Sequence, residues 1–241
     1  MKISVVVPAF NEEKLLGGSL AQIQASATAF SQRGWQFELI VCDNNSTDRT
    51  SEIARAAGAI VVFEPFNQIG RARNAGAGAA TGEWLIFVDA DSSPSPELFA
   101  DVADKIVTGK FIAGGATVRL DEKMLVAGLV TNLWNWTSRW QKWLAGSFIF
   151  IEAATFRRLG GFNPEIFAAE ELDLSQRLKK IAREQKKKVI ILHRHPLVTS
   201  SRKMKLYTPR ELFGFFFRSI FSHRRTMRSR EATYIWYDGR R

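Results

Sequence analysis

A chain of 241 residues with a single cysteine, Cys42, cannot hold an internal disulfide. Its fold must rest on burial, and a reducing compartment is expected. Long apolar runs are also missing: none approaches the roughly 18 uninterrupted residues of a membrane-spanning helix. Met1 runs directly into KISVVVPAF without a basic leader, an apolar leader core or a small-residue cleavage site. That start predicts a non-secreted, cytoplasmic protein. A phosphate loop is absent as well. GRARNAGAGAATGEW, 70–84, is glycine-rich, but Gly76 and Gly78 fall inside an Ala-rich helical pattern. No Lys-Ser/Thr pair follows them, and the GxGxxG spacing is missing. Small residues there permit close packing instead. Arg71 and Arg73 near the start of that helix suit phosphate oxygens.

What the chain has in quantity is apolar residues, 46% of the total, enough to bury a full core. It also carries a net charge of +10, unevenly spread. Residues 1–120 hold 10 Lys and Arg against 13 Asp and Glu, whereas residues 121–241 hold 24 against 11. The basic, aromatic-rich second half suits anionic lipid, nucleic acid or a phosphorylated substrate, or it is a solvated basic surface.

The first 120 residues alternate strand and helix patterns. ISVVV (3–7), FELIVC (37–42), AIVVF (59–63), WLIFV (84–88) and FIAGGATV (111–118) read as buried strands. Helical patterns cover about 12–30, 48–57, 70–80 and 94–107. Such alternation predicts an α/β fold with a mostly parallel sheet flanked by helices. Ligands of such sheets bind at the carboxyl ends of the strands. There the chain places PAFNEE, DNNSTD and DADSS.

The last of these raises a physical question. If Asp89 and Asp91 continue strand WLIFV, they share one face with only Ala90 between them, and like charges that close require a cation or donors nearby. The alternative is local: Asp91 and Ser92 open a turn, and Ser93 or Ser95 caps the helix announced by Pro94, Pro96 and Glu97.

Beyond residue 120 the alternation breaks down. A helical stretch at 122–144 carries Trp134, Trp136, Trp140 and Trp143, of which 136, 140 and 143 share a face. That face is either a packing stripe or a binding surface. AGSFIFI, LGGFNPE and AAEELDLSQRLKK follow, the last opening a helix with Glu170, Glu171 and Asp173 in its first turn. KKKVIILHRH, 186–195, reads as a strand ending in His193 and His195. In TPRELFGFFFRSIFSHRR, 208–225, Thr208 and Glu211 have capping-box spacing with Pro209 between them, predicting a helix. Its Phe-rich face packs as core or lies in a bilayer interface.

PAFNEE, DNNSTDRT, ARNAGAGAATGEWLIFVDAD, LGGF and EELDL occur in an order and spacing that resembles family 2 glycosyltransferases of the GT-A fold. The likeness covers roughly residues 1–195. It implies a domain over 1–205, with 1–120 binding a nucleotide-sugar and 121–205 the acceptor; the basic aromatic segment at 206–241 lies beyond the likeness and is read from its composition as separate. The likeness further implies that Pro8, Ala9, Phe10 and Glu12 line the base and ribose, that Asp43 accepts a hydrogen bond from the base, and that Arg73 faces the diphosphate, with Arg71 beside it as a second candidate from the sequence. Asp89 and Ala90 would lie near the ribose and first phosphate, and Asp91 would bind Mn²⁺ or Mg²⁺, with Asp89 and one of the two histidines, His193 ahead of His195, as further metal ligands. Glu171 falls at the general base of the family's EDxDL pattern, with Glu170 and Asp173 as alternatives. The implied reaction is inverting transfer, of a hexose for instance, from a nucleotide-diphosphate sugar to a sugar or lipid-linked acceptor. A second copy of the chain and the inner face of an anionic membrane are further partners to test; nucleic acid is not expected. The competing class is a catalytically silent nucleotide-binding or membrane-surface scaffold. Two residues depart from the family's DDGSTD: Asn44 and Asn45 replace Asp and Gly, and Asn tolerates the left-handed turn that Gly supplies.

Overall fold

The computed structural model describes residues 1–122 and 124–202. The helix expected from Thr208 and the segment 206–241 lie outside the described residues.

Strands β1 (Lys2–Ala9), β2 (Gln36–Asp43), β3 (Ile60–Phe63) and β4 (Trp84–Val88) form where the apolar runs were read, and they pair in parallel in the order β3-β2-β1-β4. The expected helix at 12–30 is two helices, α1 (Leu16–Ser26) and α2 (Thr28–Ser31). It starts late because residues 10–15 form a loop. Helices α3 (Thr50–Ala56) and α4 (Ile69–Ala79) occupy their expected places. A two-residue strand β5 (Ser92–Ser93), which the sequence does not advertise, precedes α5 (Pro96–Val107). Ser95 caps α5 by accepting from the Leu98 N–H, with Pro96 in the first turn. The capping reading of this stretch therefore holds.

The second half adds β6 (Phe111–Leu120), α6 (Leu125–Gln141), β7 (Phe148–Glu152), α7 (Ala153–Arg158), α8 (Glu170–Glu184) and β8 (Lys188–Thr199). All eight strands belong to one sheet, continued as β4-β7-β6-β8-β5. β7 runs antiparallel between β4 and β6, and β5 runs antiparallel to β8; the other six strands share a direction. The sheet is thus mostly parallel, as expected. β8 continues six residues past His193 to Thr199, which corrects the strand end placed at the histidines.

Side chains split between the two faces with the period of a strand. Ile3, Val5 and Val7 of β1 join a core under α1, α2, α3 and α5, while Val6 joins a second core under α4, α7 and α8. Phe148 and Phe150 of β7 follow the first core, Ile149 and Ile151 the second. β3 is the exception: its Ile60 and Phe63 are exposed because it forms the sheet's edge. Of the α4 glycines Gly76 acts by close packing, since a Cβ there would lie 2.5 Å from Val6 Cγ1, whereas a Cβ on Gly78 would meet nothing within 4 Å.

Candidate active site

Because β1, β2 and β4 are parallel, their carboxyl ends bring residues 9–13, 43–48 and 89–91 to one edge. The first two segments are sewn together. Asn11 and Asn45 both take positive φ, 52° and 67°. Asn11 accepts from the Thr47 N–H at 2.8 Å, and Asp43 accepts from the Ser46 N–H at 2.9 Å. Asn45 thus does take the left-handed conformation that Gly supplies in the related pattern. Asn44 has a separate task. Its buried amide donates to the Glu64 and Phe66 carbonyls and accepts from the Gln68 N–H, fixing the approach to α4. Asp in its place has no donor for the two carbonyls.

Pro8 and Ala9 end β1 in buried positions, and Phe10 is half-buried beside them. Glu12 is buried, and Arg202 clasps it through two bonds of 2.8 and 2.7 Å. Asp43 is also buried at the end of β2.

The expected extended DxD is a turn. The Ser92 N–H donates to the Asp89 carbonyl, which closes a bend over residues 89–92, and Ala90 is buried inside it. The same-face argument therefore fails, because the two carboxylates have different surroundings. Asp89 accepts from Arg73 Nη2 at 2.9 Å. Asp91 lies beside the Ser92 and Thr199 hydroxyls, both at 3.5 Å, and lines a cleft of about 190 Å³ with Asp121, Ser93 and Ser200.

Arg73 is the hub. The guanidinium, 1% exposed, donates to Glu170 at 2.5 Å, to Asp89 and to the Gly146 carbonyl, and lies over the Phe162 ring. This corrects the expectation that Arg73 faces a diphosphate: a buried guanidinium with three protein acceptors organises carboxylates rather than presenting itself to a ligand. Although burial opposes its charge, Asp89, Glu170 and Glu171 push its pKa up. Arg71 is half-exposed, pairs with Glu64 at 3.2 Å and stacks on Phe66.

Glu171 completes the cluster. Its Oε2 and Arg73 Nη2 would lie 3.5 and 3.2 Å from a Cβ on Gly146, so all three meet at that backbone. The residue keeps a partly open surface. Burial nevertheless pushes its carboxyl up to about 8, and the neighbouring Glu170 charge adds to the rise while Arg73 opposes it. Charge arithmetic explains the direction: one guanidinium cannot neutralise Asp89, Glu170 and Glu171 together, so a proton is retained in the cluster.

Asp173 is elsewhere. It accepts from Arg177 at 2.7 Å, and Arg177 holds the Leu159 and Gly161 carbonyls. This ties α8 to the LGGF turn. Asn74 holds the same turn through both its amide groups, and a Cβ on Gly161 would lie 2.4 Å from Asn74 Oδ1. His193 is exposed in the middle of β8, six residues before the Thr199 that pairs with Ser92. Between them the register on β6 shifts, with Leu192 paired to Ala116 and Leu197 to Val118, so residues 193–196 bulge out of the regular strand. His195 pairs with Asp101 of α5 at 3.0 Å.

Among the described residues, no three His, Cys, Asp or Glu side chains gather closely enough to hold a metal by themselves. The donor set around Asp91 still fits Mg²⁺ or Mn²⁺. Its carboxylate makes only long hydroxyl contacts, its surroundings are oxygen-rich, and such ions take one or two carboxylates plus water and substrate phosphates. Cys42 is a buried thiol pushed up to about 12 by burial, which makes it inert. Arg202, Thr199 and Gly146 enter the site without any local motif to announce them.

Comparison with known proteins gives a consistent assignment. The family described as glycosyl transferase family 2 matches residues 4–160. An uncharacterized glycosyltransferase of Mycobacterium bovis is 36% identical over 141 residues, which is 57% of this chain and 54% of that protein. The chain thus spans about half the length of that relative. A mannosyltransferase from Pyrobaculum calidifontis, solved with GDP-Man and Mn²⁺, superposes with a TM-score of 0.64 at 22% identity, over 81% of this chain and 56% of that one. A glucosyl-3-phosphoglycerate synthase from Mycobacterium tuberculosis, solved with Mg²⁺ and UDP, gives 0.61 at 20% identity, over 91% and 76%. At these identities the likeness establishes the fold, which is the GT-A type.

Proposed function

The chain belongs to glycosyl transferase family 2, and from that premise we propose that it transfers a sugar from a nucleotide-diphosphate sugar to an acceptor hydroxyl with inversion. The observation that carries this reading is the Glu171 carboxyl, held at the same Arg73 hub as Asp89 and beside Gly146. A reaction of this kind needs a base near the acceptor and carboxylates near the leaving diphosphate, on different segments.

In this reading residues 1–120 hold the donor. Pro8, Ala9, Phe10 and Glu12 line base and ribose, Asp43 accepts from the base, and the 89–91 turn meets the ribose and phosphates. Asp91, with Asp89 behind it, holds Mn²⁺ or Mg²⁺ when the donor is bound; the ion supplies charge stabilisation for the departing diphosphate. Residues 121–205 form the acceptor side, and 206–241 a separate basic segment. The acceptor oxygen forms a bond to the anomeric carbon as the bond to the diphosphate oxygen breaks. Glu171 takes the hydroxyl proton. A carboxyl raised toward neutral pH is suited to that task, because a general base works best near the operating pH. Arg73 and Glu170 are positioning residues that set the orientation and charge of Asp89 and Glu171. A lipid-linked acceptor fits the basic second half.

The test is a panel of UDP- and GDP-sugars with Mn²⁺, Mg²⁺ or chelator. One nucleotide series should stabilise the folded chain by about 2.7 kcal/mol at 100 times its Kd, seen as a raised unfolding midpoint, and release its nucleoside diphosphate in a metal-dependent way. Stabilisation without any turnover would favour the silent binding protein. No response to any nucleotide diphosphate would end the donor reading.

A further inference from the structure

Helix α6 is anchored on one side. The Asn135 amide accepts from the Val118 N–H at 2.9 Å and donates to the Val118 carbonyl at 2.8 Å, and the buried Ser138 hydroxyl bonds the Trp143 carbonyl. The opposite side is apolar and open. Leu129, Leu133, Trp136 and Trp140 follow one another at intervals of four, three and four residues, which at about 100° per residue confines them to an arc of roughly 60°. They are 72, 65, 63 and 69% exposed, and the Trp136 and Trp140 rings stack with centroids 5.7 Å apart. The packing-stripe reading of these two tryptophans fails. A contiguous exposed apolar row on a helix marks a binding face.

The charges around the row select the occupant. From Met124 to Trp143 there is no acidic residue, while Arg139 and Lys142 are exposed beside the row and at the helix end. A second copy packed by two-fold symmetry would present a helix that likewise carries no acid between Met124 and Trp143, leaving Arg139 and Lys142 without a partner on it. Residues 203–241 contain ten Lys and Arg against three Asp and Glu, so they offer the same sign of charge. An anionic bilayer is complementary to all of these groups. Its acyl boundary takes Leu and Trp, and its headgroups take the guanidinium and ammonium.

We propose that the Leu129–Leu133–Trp136–Trp140 face of α6 is a membrane-docking surface for anionic lipid. It goes beyond the transfer reaction and does not depend on it. It also has a consequence for the cleft: α6 ends at Gln141, five residues before the Gly146 carbonyl that binds Arg73. A bilayer docked on α6 is therefore tethered closely in sequence to the Glu171 side of the site.

The experiment is flotation of the full chain with phosphatidylcholine vesicles and with three-to-one phosphatidylcholine–phosphatidylglycerol vesicles, at low and physiological salt. Partitioning should favour the anionic vesicles by roughly tenfold or more and weaken with salt. Leu133→Ser/Trp136→Ser/Trp140→Ser should reduce it by about tenfold or more, and Arg139→Glu/Lys142→Glu should remove much of the anionic preference. Both variants should keep the wild-type unfolding midpoint and its shift with nucleotide, so a failed donor reading and a failed membrane reading give different results. No partitioning at either salt, unchanged partitioning of both variants, or a triple variant that only converts a dimer to a monomer would overturn the proposal.

Discussion

Two regions of the molecule meet at Arg73 and reach it by opposite means. The β1–β4 region delivers its polar residues by repetition: each parallel strand ends at the same edge, and each end carries its own acid or amide. The region from β6 to β8 delivers Gly146 and Glu170 by single long-range hydrogen bonds, the longer joining Arg73 to Glu170 across 97 positions, and Glu171 follows its neighbour. In the first region the backbone pattern does the placing; in the second a buried charge does. The first region should therefore tolerate loss of its ligand-facing groups, whereas the second should not tolerate loss of its hub.

Arg73→Met is the strongest way to break that contrast. It leaves Glu170 buried without its partner, and loss of one member of such a pair costs about 3–5 kcal/mol. Urea unfolding should show this, with activity lost as well; a stable, active variant would mean that the hub does not join the two regions. Asp91→Ala tests the other side. Turnover should fall on the order of 10³-fold while the unfolding midpoint stays in place, since the side chain makes only two long hydroxyl contacts.

Glu171→Gln should lower turnover by at least about 10²-fold with donor binding retained. The wild-type kcat/KM should rise with pH and level off above about 8, where Glu171 is ionised. Stability runs the other way. A carboxyl raised from 4.5 to about 8 favours the folded state while protonated, so its contribution is complete below pH 4.5 and is lost as pH rises through 8. Differential scanning should find the Gln variant equal to wild type near pH 4 and more stable above pH 8. A constant difference across that range would place the raised pKa elsewhere.

Asn44→Asp restores the residue usual in the related pattern, yet it should destabilise by about 1–3 kcal/mol, because two buried carbonyls lose their donor. The smallest effect is expected from Asp173→Asn: about 1 kcal/mol or less, and turnover within roughly twofold, since only a half-exposed pair with Arg177 is weakened. Strong loss of turnover in this variant would move the base from Glu171 to Asp173.

Much of the fold could be read locally. Short apolar runs marked β1 to β4 and β6, and Ser95 with Pro96 marked the start of α5, because strand burial and helix capping are decided by residues within a few positions of each other. The left-handed turn at Asn45 was legible for the same reason. The antiparallel insertion of β7, the pairing of β5 with β8 and the extension of β8 to Thr199 were not, since strand partners lie far apart in sequence. Reading Asp89 and Asp91 as one face of a strand failed at a single backbone bond, from Ser92 to Asp89.

Apolar periodicity and strand direction are enough to put acids and amides at the ends of parallel strands. What those groups face is set by contacts between distant segments. Arg73 carries one charge whatever its neighbours, but whether it meets a ligand or carboxylates depends on the first turn of α8 and the end of β4 arriving beside it. Trp136 and Trp140 have helical spacing in either case, but whether they are core or surface depends on which side of α6 Asn135 ties down. Periodicity is a property of neighbours in the chain; charge pairing and burial are properties of neighbours in space.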